Sequence, residues 1–98
     1  MVEVRKVVDF GRYFNNNVHQ FSDKPFESKA GKKSVIKYHP LGVLYFLIPF
    51  NFPFFLNFKG GLANILMGNV LLVRNSDSTP RVGQLVEEIM NEAGFNSG

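Results

Sequence analysis

The sequence predicts an α/β fold, and three observations carry that reading. Val43–Ile48 (VLYFLI) is a continuous apolar run of strand length, rich in β-formers. Val70–Val73 (VLLV) is a second, shorter one. Between them lies a mostly apolar helical segment, and after them a helix with a clean apolar stripe. Strand, helix, strand over about thirty residues is a βαβ unit, whose crossover is expected to be right-handed.

Along the chain, residues 2–20 read as a helix. Val4, Val7, Val8, Gly11, Phe14 and Val18 follow the i, i+3, i+4, i+7 rule, while Asn15–Asn17 weaken the last turn. Ser22–Lys33 reads as a loop, punctuated by Pro25 and Gly31. Ser34–His39 partly alternates apolar and polar residues, as a partly exposed strand does. Pro40-Leu41-Gly42 interrupts it.

Val43–Ile48 is expected to be buried on both faces. Pro49 to Pro53 is a rigid connector, and Pro53 suits the first turn of a helix, where its missing N–H costs nothing. The helix Phe54–Met67 is weakened by Gly60-Gly61 and closed by Gly68-Asn69. Arg74–Ser78 (RNSDS) is a polar loop at the carboxyl end of the second strand. Thr79 is expected to N-cap the last helix, with Pro80 at its first position. Val82, Leu85, Val86, Ile89, Met90 and Ala93 form its apolar stripe, and Gly94 ends it.

Composition narrows the function classes. At 98 residues and 45% hydrophobic content the chain holds one packed domain or part of one. The net charge of +3 comes from scattered Lys and Arg, so a nucleic-acid partner is not expected. There is no Cys, which removes disulfides, thiolate metal sites and a cysteine nucleophile. His19 and His39 have no second ligand-type neighbour, so no metal site is expected. Met1 is followed by Glu3, Arg5 and Lys6 rather than an apolar run, and a cytoplasmic location is expected.

Phe occurs 11 times and crowds into Leu41–Phe58, a stretch with no formal charge and close to membrane-spanning length. Pro49 and Pro53 break a continuous helix there, and Asn51 and Asn57 would need partners in hydrocarbon. No membrane partner is expected. A small membrane-associated protein anchored by residues 41–58 is kept as the alternative class.

The motifs of Pro40–Gly98 occur in a fixed order. They are Pro40-x-Gly42-Val43, Ile48-Pro49-Phe50-Asn51-Phe52-Pro53, Gly68-Asn69-Val70, Arg74-Asn75-Ser76-Asp77-x-Thr79-Pro80 and Ala93-Gly94-Phe95. This order resembles the aldehyde dehydrogenase superfamily. Its pattern runs Pro-x-Gly-Val, Ile-x-Pro-Trp-Asn-(Phe/Tyr)-Pro, Gly-Asn-x-Val, Lys-Pro-(Ser/Ala)-Glu-x-Thr-Pro, then Glu-Ala-Gly. Asn51-Phe52-Pro53-Phe54-Phe55 and Lys59 look closest to the succinate-semialdehyde dehydrogenase branch. The helix Val4–Val18 and Lys33–His39 resemble that branch more loosely.

The resemblance implies an architecture. An N-terminal helix and a strand-bearing arm (residues 1–39) precede the first half of a Rossmann-like cofactor-binding domain (40–98), the whole being a fragment of one larger domain. It also implies NAD or NADP as cofactor, with Ile48, Pro49, Phe50, Asn51, Arg74, Ser76 and Asp77 as its binding residues. Asn51 would be the catalytic residue, its amide N–H stabilising the oxyanion formed on the aldehyde, an effect of about 3–4 kcal/mol elsewhere. From the residues alone, Asn51 reads as a cap in a strand-to-helix turn.

Arg74 and Asp77 stand where the pattern has Lys and Glu, and the resemblance places them at the adenosine ribose. Arg74 suits a 2′-phosphate and Asp77 suits ribose hydroxyls, so the pair leaves NAD and NADP both open. From the residues alone it is a solvated loop ion pair. Phe50 replaces the pattern's Trp, keeping an apolar wall and losing a donor.

In this family a Cys thiolate attacks the aldehyde and a Glu activates the hydrolytic water. Both lie beyond the segment matched here, and this chain has no Cys. The expectation is part of an NAD(P)-dependent aldehyde dehydrogenase that is inactive alone. Its aldehyde is succinate semialdehyde by branch resemblance, and it is expected to self-associate or pair with a complementary chain.

Overall fold

The computed structural model describes residues 2–27 and 31–96. Lys29, one of the scattered basic residues, and the terminal Met1 and Gly98 lie outside them. The elements in order are helix α1 (Val2–Asn17), a short 3₁₀ turn (Val18–Phe21), strands β1 (Lys24–Glu27), β2 (Lys33–Ile36) and β3 (Val43–Ile48), helix α2 (Pro53–Leu66), strand β4 (Val70–Asn75) and helix α3 (Pro80–Glu92). β3 and β4 pair in parallel, Val43 opposite Val70 through Ile48 opposite Asn75. α2 is the crossover between them, so the βαβ unit read from the sequence is present.

The arm differs from the sequence reading. Within the segment read as a loop, Lys24–Glu27 forms a strand that pairs antiparallel with β2, Lys24 opposite Ile36. Pro25 is accommodated because a two-stranded ribbon leaves each strand with a free edge, where a missing N–H costs no ladder bond. The arm lengthens the molecule to 58 Å against 26 and 25 Å across. Its radius of gyration of 16.8 Å exceeds the ~13 Å of a compact chain of about this size.

The glycines in α2 are contact points rather than weak points. A Cβ at Gly60 would stand 2.5 Å from Cε2 of Phe46, and one at Gly61 would stand 3.3 Å from Leu71 Cδ1. The helix therefore sits directly on β3 and β4, at the cost of about 1 kcal/mol of helix propensity per glycine. On its other side α1 crosses α2, with Gly11 facing Leu62 and the Phe10 ring 6.0 Å edge-on from Phe55. Val4 and Val8, counted in the sequence stripe of α1, are exposed instead. The contact face is carried by residues such as Phe10, Gly11 and Phe14.

Both long helices of the βαβα unit end in the same way. Gly68 (φ 82) and Gly94 (φ 89) adopt the left-handed conformation. Asn69 N–H donates to Asn64 O and Gly68 N–H to Ile65 O; Phe95 N–H donates to Met90 O and Gly94 N–H to Asn91 O. Each is a Schellman motif that satisfies the last carbonyls.

The sheet is covered on one face. Ile48 and Phe58 form the buried apolar centre. Val43, Tyr45 and Leu47 of β3 and Val70 and Leu72 of β4 lie open on the other face. The expectation of burial on both faces is thus corrected: α1 and α2 stack on one another, and the helices of the unit cover the same side.

Candidate functional site

The site stands at the carboxyl ends of β3 and β4, where open parallel sheets bind ligands. A shallow cleft of about 330 Å³ is lined there by Leu47, Ile48, Pro49, Arg74, Asn75, Ser76 and Asp77. It brings together five of the seven residues the sequence singled out, namely Ile48, Pro49, Arg74, Ser76 and Asp77. The parallel register places Ile48 opposite Asn75, so the two strand ends meet at the same height.

Arg74 belongs to β4 rather than to the following loop, because the ladder runs on to Asn75. Its Nη2 lies 3.6 Å from Oδ1 of Asp77, with both side chains largely in solvent. At this exposure the pair contributes little to stability, and both groups are accessible to a ligand. The Ser76 hydroxyl accepts the Ser78 N–H at 3.3 Å, and Ser76 O accepts both the N–H (2.9 Å) and the hydroxyl (3.4 Å) of Thr79. Thr79 stands at the N-cap of α3 with Pro80 following it, as the sequence indicated, but its hydroxyl folds back on the turn and makes no cap bond to the helix.

Phe50 and Asn51 occupy the bend after β3, outside this cleft and exposed. The bend is tight. Phe52 takes φ 53, ψ 45, the left-handed region, and is itself the residue preceding α2. Asn51 thus does not cap the helix, and among the described residues its carboxamide has no hydrogen-bond partner. The N-terminus of α2 is capped from elsewhere: Phe55 N–H donates to Glu3 Oε1 of α1 at 2.6 Å.

Sequence reasoning passed over three residues that hold this geometry. Glu3 is one. Asn69 is another: buried, it accepts the N–H of Leu41 at 2.6 Å and of Gly42 at 3.1 Å, tying the start of β3 to the start of β4. The third is Asn57, buried in α2, which donates to Asn75 Oδ1 at 2.7 Å. A polar Asn set among apolar residues is the signal that could have found the last two. Glu3 left none.

The model of the Aldehyde dehydrogenase family matches residues 1–98. The chain belongs to the aldehyde dehydrogenase family. It is 31% identical over 97 residues to a 1-pyrroline-5-carboxylate dehydrogenase of Geobacillus kaustophilus (strain HTA426), covering 98% of this chain and 19% of that one. It is 29% identical over 98 residues to a protein of Synechocystis sp. named "Probable succinate-semialdehyde dehydrogenase (NADP(+))", covering 100% of this chain and 22% of that one. Thus the chain spans about a fifth of the length of the curated relatives it matches.

Two solved structures share the fold. PnpE, solved in complex with nicotinamide adenine dinucleotide, superposes with a TM-score of 0.86 at 24% identity, over 97% of this chain and 20% of that one. The protein of "Structural insights into cofactor and substrate selection by Gox0499" gives 0.79 at 25% identity, over 96% and 21%.

The stretch Leu41–Phe58 is divided between β3 and α2 by the Pro49–Pro53 bend. Among the described residues no helix is long and apolar enough to cross a membrane, so a helical anchor there finds no support. Among the described residues there is also no cluster of His, Asp and Glu suited to a metal.

Proposed function

We propose that this chain supplies part of the nicotinamide-dinucleotide site, together with the oxyanion donor, of an aldehyde-oxidising centre. The observation that carries the reading is the single cleft that gathers Ile48, Pro49, Arg74, Ser76 and Asp77 at the strand ends. Its donor set suits a dinucleotide. The Asp77 carboxylate accepts from ribose hydroxyls, the Arg74 guanidinium donates to them or to a 2′-phosphate, and Ile48 and Pro49 form an apolar floor. When bound, the nicotinamide supplies the acceptor for hydride.

Asn51 is the residue for the substrate oxygen. Its carboxamide has no competing partner among the described residues, and the Phe52 bend holds its backbone. A carboxamide N–H directed at the aldehyde oxygen stabilises the negative charge that develops there. The chain lacks Cys, so no thiolate of its own attacks the carbonyl, and it does not oxidise aldehydes by itself. The product class is a carboxylate. Succinate semialdehyde is the first aldehyde to test, since one relative is named for it, with the substrate of the pyrroline-carboxylate relatives as the second.

The test is titration of the purified chain with NAD and with NADP, followed by calorimetry. Binding of at least one is expected, weakened about tenfold or more by Arg74→Ala through loss of a charged hydrogen bond. Absence of binding to both at millimolar concentrations would overturn the reading. Aldehyde turnover that tracks the purified chain would overturn the claim of inactivity.

A further inference from the structure

We propose that Asn75 is a positioning residue, pinned between Asn57 of α2 and Gly83 of α3, which sets where β4 ends and how Arg74, Ser76 and Asp77 are presented at the cleft. The pin is independent of any ligand; its consequence for a dinucleotide rests on the function proposed above.

The side chain of Asn75 is half-buried and is met from both sides. Its Oδ1 accepts from Asn57 Nδ2 at 2.7 Å, and the same nitrogen donates to Pro53 O at 2.8 Å. Asn57 is 5% exposed, so its amide has little water to fall back on. Toward α3, a Cβ at Gly83 would stand 2.8 Å from Asn75 Nδ2. Any side chain at 83 would therefore displace the carboxamide. One amide thus bridges the two helices that flank β4.

The position makes this consequential. Successive strand residues point to opposite faces. The Asn75 side chain turns to the helices, while Arg74 reaches the exposed Asp77. Asn75 also lines the cleft, and the turn of Ser76 and Thr79 begins at the next residue. The family pattern has Pro at position 75, which carries neither a carboxamide nor an N–H. Here three side-chain choices, Asn57, Asn75 and Gly83, agree with one another to build a different lock at the same strand end.

The experiment compares Asn75→Ala, Asn57→Ala, the double variant, Gly83→Ala and Asn75→Asp. Val7→Ala in α1 serves as a destabilised control away from the strand end. Amide hydrogen exchange at Ser78 and Thr79 is read by NMR, and NAD and NADP affinities are read on the folded fraction. Asn75→Ala, Asn57→Ala and Gly83→Ala are each expected to speed exchange at Ser78 and Thr79 about tenfold, by local opening that Val7→Ala does not produce. The double variant is expected to be no worse than the worse single one, because both remove one contact. Asn75→Asp keeps the acceptor for Asn57 and is expected to retain protection.

The same variants are expected to weaken dinucleotide binding severalfold, with Val7→Ala neutral. Equal loop exchange in Val7→Ala, or additive effects in the double variant, would overturn the pin. Should Asn75→Ala fail to fold, Gly83→Ala probes the pin from the other side with both amides intact. If the unaltered chain binds neither dinucleotide, the proposed function falls, while exchange and coupling still decide the pin.

Discussion

The carboxamide oxygen of Asn69 accepts the backbone N–H groups of both Leu41 and Gly42, at 2.6 and 3.1 Å, across the sheet from the end of α2. One buried side chain, 8% exposed, thus joins the start of β3 to the turn that opens β4, where Val70 N–H also donates to Gly42 O. The parallel register follows from this clamp as well as from the ladder. Asn69→Ala leaves two backbone donors without their acceptor and is expected to cost about 2–4 kcal/mol. Asn69→Asp keeps the oxygen and is expected to cost much less. Urea unfolding of the two variants checks this, and equal losses would count against the clamp.

Glu3 is expected to stabilise α2, not its own helix. Its carboxylate takes the Phe55 N–H at the positive end of α2, and Phe52, in the usual capping position, offers no side-chain oxygen. Glu3→Ala is expected to cost about 1 kcal/mol, as other lost caps do. Amide exchange at Phe55 is expected to rise with it. Unchanged protection at Phe55 would remove the cap.

Gly60 is expected to resist the usual gain from Gly to Ala in a helix. An added methyl meets the Phe46 ring at 2.5 Å, and overpacking of that kind costs about 1–3 kcal/mol. This exceeds the roughly 1 kcal/mol of propensity recovered. Gly60→Ala is therefore expected to destabilise, and Phe46→Leu in the same chain to recover part of the loss. Thermal unfolding of the single and double variants reads it.

Phe52 carries a left-handed backbone without being glycine, a conformation that costs roughly 1–2 kcal/mol for a residue with a Cβ. Its side chain is 63% exposed, so little burial offsets that cost. Phe52→Asn, which tolerates this region, is expected to raise stability by about 0.5–1 kcal/mol in a melt. A loss of similar size would show that the ring packs more tightly than its exposure indicates.

The open face of the sheet is expected to drive self-association. Tyr45 and Leu72 stand opposite each other there, 57% and 59% exposed, beside other apolar side chains. Contiguous apolar surface and unpaired strand edges favour pairing with another chain. Light scattering is expected to show species larger than a monomer. The pair Tyr45→Glu with Leu72→Lys, whose opposite charges suit adjacent strands, is expected to shift them to monomer without loss of circular dichroism. A monodisperse monomer of the unaltered chain would end this expectation.

Much of the fold was legible because its signals are local. The bounds of β3 needed only its apolar run, and the two helix ends needed Gly68 and Gly94, whose missing Cβ admits the left-handed stop. The motif order pointed to the family over the whole chain. Local signals misled where an edge changes the rules: Pro25 marked a loop, yet a ribbon strand accepts it. They were also blind to long-range partners.

The sequence by itself determined the helices, the two parallel strands β3 and β4, and which family they serve, while β1 read as a loop. Those choices rest on periodicity, propensity and short motifs, all contained within a few neighbouring residues. Only the tertiary structure decided that Asn69 holds Leu41 and Gly42, that Glu3 caps α2 and that Asn57 meets Asn75. A hydrogen bond between residues far apart in sequence is chosen by packing, since a carboxamide or carboxylate must find a partner wherever the fold buries it.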